Sequence, residues 1–148
     1  MARILAVCRS DNKGTVKIPI DEGLFKEDFG LTGDAHAECQ IKRQVSLMTI
    51  ESINRMRKEG YDVIPGSFAE NLTTEGIDLL ALPIGTRFAV GDEVLLEMTQ
   101  IGKECHTGCA IFRQVGKCIM PKEGVFTRVL KGGKVRAGDE IRVSEDGE

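Results

Sequence analysis

The sequence predicts a mainly β fold of the α+β class, a closed or nearly closed β-barrel with one clear helix and short helical turns. Three observations lead there. Strand-like apolar patterns dominate both ends of the chain, a single amphipathic helical pattern interrupts them, and seventeen glycines make the backbone turn often. Closure is expected because it removes exposed strand edges. A chain of 148 residues, 41% hydrophobic, is enough for one domain over 1–148 whose single core needs no disulfides.

The elements follow in order. Ala2 to Val7 reads as a buried strand ending at Cys8, and Thr15-Val16-Lys17-Ile18-Pro19 alternates like a second strand. Asp11-Asn12-Lys13-Gly14 is the turn between them, so the chain opens as a hairpin. Gln44 to Met48 is a further short apolar run. Thr49 then caps a helix with Ile50, Ile53 and Met56 on one face and Glu51, Arg55, Arg57 and Lys58 toward water, and Gly60 stops it. From Leu82 onward the pattern is β: Thr86 to Val90, the turn Gly91-Asp92, then Glu93 to Thr99. Gly133 to Val143 repeats the theme, and both copies place Gly-Asp-Glu before an apolar residue, predicting two similar corners of a curled sheet. Ser144 to Glu148 is a polar tail expected to fray.

Charge and cysteine usage narrow the function. The net charge of −3 comes from 20 basic residues interleaved with 23 acidic ones, which argues against nucleic acid or an anionic membrane as partner and leaves room only for a small basic pocket. The longest apolar runs fall far short of the ~20 residues that span a bilayer. The first residues carry no long apolar stretch before a small-residue cleavage site, so a cytoplasmic location is expected. Five cysteines, an odd number, then read as reduced thiols that are buried, metal-bound or reactive.

Three segments concentrate chemistry. Gly102 to Arg113, followed by Cys118, holds three of the five cysteines and directly follows a strand, where a loop presents side chains on rigid support. A thiol nucleophile needs nearby cations to be populated as thiolate, and Lys103, His106 and Arg113 supply them. Cys105 has charged or polar neighbours and is the candidate nucleophile; Cys109 and Cys118 read equally well as core thiols. Zinc is a weaker reading, because Cys-x3-Cys with one further Cys lacks two close couples; a soft thiolate also suits molybdenum, iron or copper. The second segment, Gly30-Leu31-Thr32-Gly33-Asp34-Ala35-His36-Ala37, is a loop whose backbone can approach a ligand at Gly33 and Asp34, with Arg43 nearby as a fork for phosphate or carboxylate. The third, Pro65 to Gly76, places Phe68 and Leu72 inward and offers Glu70, Asn71 and threonines from an irregular stretch, although a Thr-rich turn explains it equally well.

Together these motifs resemble a known family. Gly30 to Ala37, Arg43-Gln44-Val45-Ser46-Leu47, Gly66 to Thr73, Ile84-Gly85-Thr86 and Gln100 to Cys105 are similar, in this order, to the MOSC domains, named for the C-terminal domain of molybdenum cofactor sulfurase. The resemblance covers roughly residues 14 to 143 and is to the short, stand-alone bacterial type. It implies a strand-rich, barrel-like fold and a role around the molybdenum cofactor (molybdopterin) or in sulfur transfer. The family's hallmark cysteine falls on Cys105, a possible molybdenum ligand, supported by Lys103, His106 and Cys109. His36 and Arg43 fall in segments that would face the cofactor or another anion, and Glu70 and Asn71 in the segment lining the same groove. Where many relatives have glycine and aromatic residues, this chain reads Glu38-Cys39-Gln40-Ile41-Lys42, which makes Cys39 a candidate partner thiol.

The function expected is a molybdenum-cofactor-associated sulfur carrier, a sulfurtransferase in which Cys105 accepts sulfane sulfur as a persulfide and delivers it to a metal–sulfur centre. The alternatives are a molybdopterin-binding module with Cys105 on molybdenum, or a cofactor-loaded reductase of N-hydroxylated substrates. No pyridoxal phosphate domain fits in 148 residues, so the expected partners are a cysteine desulfurase or other sulfur donor and proteins that build or accept the molybdenum cofactor.

Overall fold

The computed structural model describes residues 2–12, 16–102 and 120–144. The chain runs β1 (Arg3–Arg9), β2 (Ile18–Ile20), β3 (Glu22–Lys26), β4 (Gly30–Leu31), β5 (Val45–Thr49) and α1 (Ile50–Lys58). It continues through β6 (Leu72–Glu75), a 3-10 turn at Leu79–Ala81, β7 (Arg87–Val90) and β8 (Val94–Ile101). A short helix α2 (Met120–Glu123) then leads to β9 (Val125–Lys131), β10 (Gly133–Arg136) and β11 (Ile141–Ser144). The fold is mainly β with one substantial helix, as expected.

Among the described residues the expected closed barrel is not formed. One sheet has eight strands in the order β11-β7-β8-β9-β5-β6-β1-β2, and β10, β3 and β4 make a separate three-stranded sheet. Closure fails because β10 leaves the first sheet to pair with β3, matching Gly133 with Phe25 and Arg136 with Glu22. The edge problem is met differently. The edge strand β2 is only three residues long, and the free edge of β1 near Ile4 is covered by the turn into β11. There Ile4 N donates to Asp139 O at 2.7 Å and Gly138 N donates to Ile4 O at 2.7 Å.

Both faces of the larger sheet are buried. One contributes Leu47, Leu72, Phe88, Leu96 and Val129 to a core shared with Phe25, Leu31 and Val135 of the small sheet. The other packs Met48 and Phe126 against Ile53 and Met56 of α1, with Val63 and Phe68. Thr49 caps α1 as expected, its Oγ1 accepting from Ser52 N at 3.1 Å, and Gly60 ends it at φ 99°. The hairpin of β1 and β2 is present with Cys8 opposite Pro19. The two Gly-Asp-Glu corners meet: Gly91 N donates to Glu140 O at 2.8 Å. No helix among the described residues is long and apolar enough to cross a membrane. The polar tail beyond Ser144 and the turn residues Lys13 and Gly14, with Thr15, lie outside the described residues.

Candidate functional site

A row of residues crosses the helix-covered face of the eight-stranded sheet. Gln100 on β8 pairs with Phe126 on β9, and Phe126 with Ser46 on β5. Ser46 then meets Asn71 at the entry to β6, and Asn71 meets Cys8 on β1. With strands ~4.8 Å apart, Phe126 and Cys8 are separated by about 14 Å, and Phe126, Ser46, Asn71 and Cys8 are all buried. The segment 66–71 lies over this row and holds it together. Gly66 makes that possible: at φ +94°, a Cβ there would lie 2.2 Å from Lys17 O and 3.3 Å from Cys8 Sγ.

Asn71 is a staple between strands. Its Nδ2 donates to Cys8 O at 3.1 Å, and its Oδ1 accepts from Ser46 N at 3.0 Å and from Ser46 Oγ at 3.2 Å. Glu70 is fully buried, with Oε2 accepting from Gly66 N at 2.9 Å and Thr73 Oγ1 at 2.9 Å and Oε1 from Phe68 N at 3.3 Å. Burial pushes its carboxyl above the usual range, and these donors only partly oppose that. Both residues belong to the predicted segment, but their polar atoms point inward and hold the platform. The stretch from Leu72 is a strand, not an irregular turn.

At the β1 end sits a buried ionic cluster. Lys17 Nζ donates to Asp34 Oδ1 at 2.7 Å and Ser10 Oγ at 3.2 Å, and stands 3.0 Å from His36 Nδ1. The Lys17 and Asp34 side chains are completely buried, whereas that of His36 is 31% exposed, so the cluster opens to solvent through the histidine. Burial alone would raise the Asp34 carboxyl. The hydrogen bond and charge of Lys17, with the backbone N–H groups of Ser10 and His36, outweigh it and hold the group below its usual range. Gly33, at φ +86°, lets Arg9 approach, since a Cβ there would lie 3.0 Å from Arg9 Nη1. Cys8, fully buried between this cluster and Glu70, has its thiol pushed up to about 12, mainly by burial and then by the Glu70 charge, with Lys17 pulling the other way.

At the β9 end, exposed Arg43 lays its guanidinium 5.8 Å from the centre of the Phe126 ring. The chain before it is pinned where Thr99 Oγ1 donates to Lys42 O. Beside it a groove of about 610 Å³ runs between Gln40, Ile41 and Lys42 on one side and Met98, Thr99 and Arg128 on the other. Cys39 is exposed next to Gln40. The neck of the cysteine-rich segment is at the same end: Gly102 N donates to Gly124 O at 2.7 Å, one residue from the start of β9.

The structure thus joins Asp34 and His36 in one hydrogen-bonded cluster with Lys17, sets Gly33 against Arg9, buries Glu70 and Asn71 in the platform beside Cys8, and places Arg43 at the opposite end over Phe126. Cys105, Lys103, His106 and Cys109, with Arg113 and Cys118, lie outside the described residues. Sequence reasoning missed Lys17, Ser10 and Ser46. The available signal was a lysine set inside the apolar run Val16 to Ile20, where strand alternation treats it as solvent-facing.

A family model described as the MOSC domain matches residues 28–142. Among solved structures, APC1665, the YUAD protein from Bacillus subtilis, is similar at 22% identity and a TM-score of 0.71, over 97% of this chain and 96% of that one. YiiM from Geobacillus stearothermophilus aligns at 18% identity and a TM-score of 0.73, over 99% and 77% of the two chains. YiiM from Escherichia coli aligns at 22% and 0.69, over 97% and 70%. No curated protein matches the sequence.

Proposed function

The chain belongs to the MOSC domain family, and from that premise we propose that it is a sulfur carrier serving the molybdenum cofactor, with Cys105 as the carrying thiol. One observation supports this reading above the others. The neck from which the Cys105 segment departs adjoins a sheet face flanked by exposed Arg43 at one end and part-exposed His36 at the other.

The residues fit an anionic cofactor. The carboxylates of Asp34 and Glu70 are buried and taken up by internal donors, so of the candidate residues those whose charged or polar groups turn to solvent are Arg43 and His36. Arg43 at one end of the face would hold a phosphate, His36 at the other would donate to a second acceptor of the cofactor, and Cys105 would approach the metal end. When bound, molybdopterin would supply that phosphate together with a dithiolene-held metal.

In the loading step the Cys105 thiolate attacks the terminal sulfur of a persulfide on an external desulfurase. The donor's S–S bond breaks, its thiolate leaves and takes a proton, and the outer sulfur ends on Cys105 with no net change in oxidation state. Lys103 and His106 favour the thiolate. In delivery a sulfur nucleophile of the acceptor metal–sulfur centre, which is the substrate, attacks the outer sulfur; the Cys105 S–S bond breaks, the Cys105 thiolate leaves, and the sulfur moves at unchanged oxidation state.

The test is site mapping. After incubation with a cysteine desulfurase and cysteine, alkylation and peptide analysis should find the added sulfur on Cys105. Sulfur spread over Cys39 and other thiols, or found on none, would refute the carrier. The alternative, a molybdopterin-binding module with Cys105 on the metal, draws on the Arg43 and His36 donors and requires no sulfur loading.

A further inference from the structure

We infer that Lys17 is a positioning residue that fixes His36 as the neutral tautomer with its proton on Nε2. The argument starts from donor inventory. An ammonium carries only donors, so the 3.0 Å approach of Lys17 Nζ to His36 Nδ1 is a hydrogen bond only if Nδ1 carries no proton. The Asp34 carboxylate at 2.7 Å keeps Lys17 charged in a place where both side chains are wholly buried.

The charged groups around His36 agree. Among the described residues Lys17 stands 3.0 Å away and Arg9 reaches the adjacent Gly33 turn, and both cations disfavour an imidazolium. Asp34 is the opposing charge, but its Oδ2 is 3.9 Å from His36 Nδ1. That oxygen already accepts from His36 N at 3.1 Å, while Oδ1 takes Ser10 N at 3.1 Å as well as Lys17. Protonating Nδ1 would break the bond to Lys17 and set two cations together. The backbone bond from His36 N to Asp34 and the ring bond to Lys17 also fix the ring's direction.

For the site this means a donor of constant sign: His36 offers Nε2–H across the neutral range without needing to be protonated first. This consequence rests on the anion-binding reading above; the tautomer does not. It also rules out His36 as a general acid that must change charge near pH 7.

Long-range proton–nitrogen NMR of the 15N-labelled protein tests the inference, with His106→Gln assigning the two imidazoles. The expected wild-type spectrum at pH 7 has Nε2 protonated and Nδ1 bare, and its change with pH gives the His36 titration midpoint. In Lys17→Met the bare Asp34 carboxylate becomes the neighbour, and the midpoint should rise by about one pH unit or more. Asp34→Asn keeps the lysine, and its midpoint should stay at or below the wild-type value. An Nδ1–H tautomer or an imidazolium in the wild type at pH 7 overturns the inference, whether or not Lys17→Met folds. So does a midpoint that falls by about one unit in Asp34→Asn from a wild-type value above ~6.5, since Asp34 would then control the ring. Failure of phosphate to bind while the tautomer stands would count against the anion-binding reading alone.

Discussion

Replacing Lys17 with methionine removes one half of a completely buried ion pair and leaves the Asp34 carboxylate with the weaker donors Ser10 N and His36 N. Breaking such a pair from one side costs about 3–5 kcal/mol. The carboxyl can escape by taking a proton. From its ordinary value of 3.8, protonation at pH 7 costs about 4 kcal/mol at ~1.36 kcal/mol per pH unit, which sets a ceiling. The expected loss at pH 7 is therefore about 3–4 kcal/mol, or about 10 °C in melting temperature for a chain of this size. The chain has no tryptophan, so urea melts followed by far-ultraviolet circular dichroism are the assay. In the wild type the folded carboxyl lies below 3.8, so its contribution is present above that pH and is lost as pH falls through the lower folded value. In the variant the carboxyl is raised, so its penalty fades as pH falls from 7 toward 4. The gap between the two proteins should narrow over that range. A loss under about 1 kcal/mol at pH 7 would refute the reasoning, as would a gap that does not narrow.

Thiol reactivity should divide sharply. Under native conditions at pH 7, Cys105 should alkylate first and exposed Cys39 later, while Cys8, buried and with its thiol pushed up to about 12, should stay unlabelled until unfolding. Faster labelling of Cys8 or Cys39 than of Cys105 would mean that the site is misassigned. Phosphate or molybdopterin should raise the wild-type melting temperature, and Arg43→Ala should abolish that rise while changing the unliganded stability by less than about 1 kcal/mol, since the guanidinium is exposed and lies over the Phe126 face. An undiminished rise in the variant would remove Arg43 from the site. Asn71→Ala should cost about 3 kcal/mol in a urea melt, because it leaves Cys8 O and Ser46 N short of buried partners; a loss within about 0.5 kcal/mol would show that Asn71 is not the staple.

How much of this was legible follows from which patterns are local. The helix was readable because Thr49, the Ile50, Ile53 and Met56 stripe and Gly60 each act within one or two turns. Strands β7 and β8 were readable because a glycine corner separates two apolar runs. By contrast β3 alternates in burial yet carries Gly23 on its buried face and exposed Leu24, which blurs the pattern. In β9, Val125 to Thr127 are buried on both faces and show no alternation. In β6 the threonines looked like a polar turn, but strand pairing buries them, a tertiary effect. Barrel closure could not be read either, since it depends on β10 choosing β3 over the larger sheet. At the site, the Gly33-Asp34-x-His36 loop and Arg43 announced themselves by residue type. Lys17 did not, because its partner lies seventeen residues away and only the fold brings them together.

The carrier proposal stands or falls on what is attached to the protein after loading. Wild type and Cys105→Ala are incubated with a cysteine desulfurase and cysteine, then compared by intact mass, with molybdenum measured on the same samples. The account predicts one added sulfur atom on the wild type, removed by a reducing thiol and absent from Cys105→Ala, with no requirement for bound metal. Equal sulfur on both proteins, or no sulfur alongside stoichiometric molybdenum that reduction does not release, would contradict it.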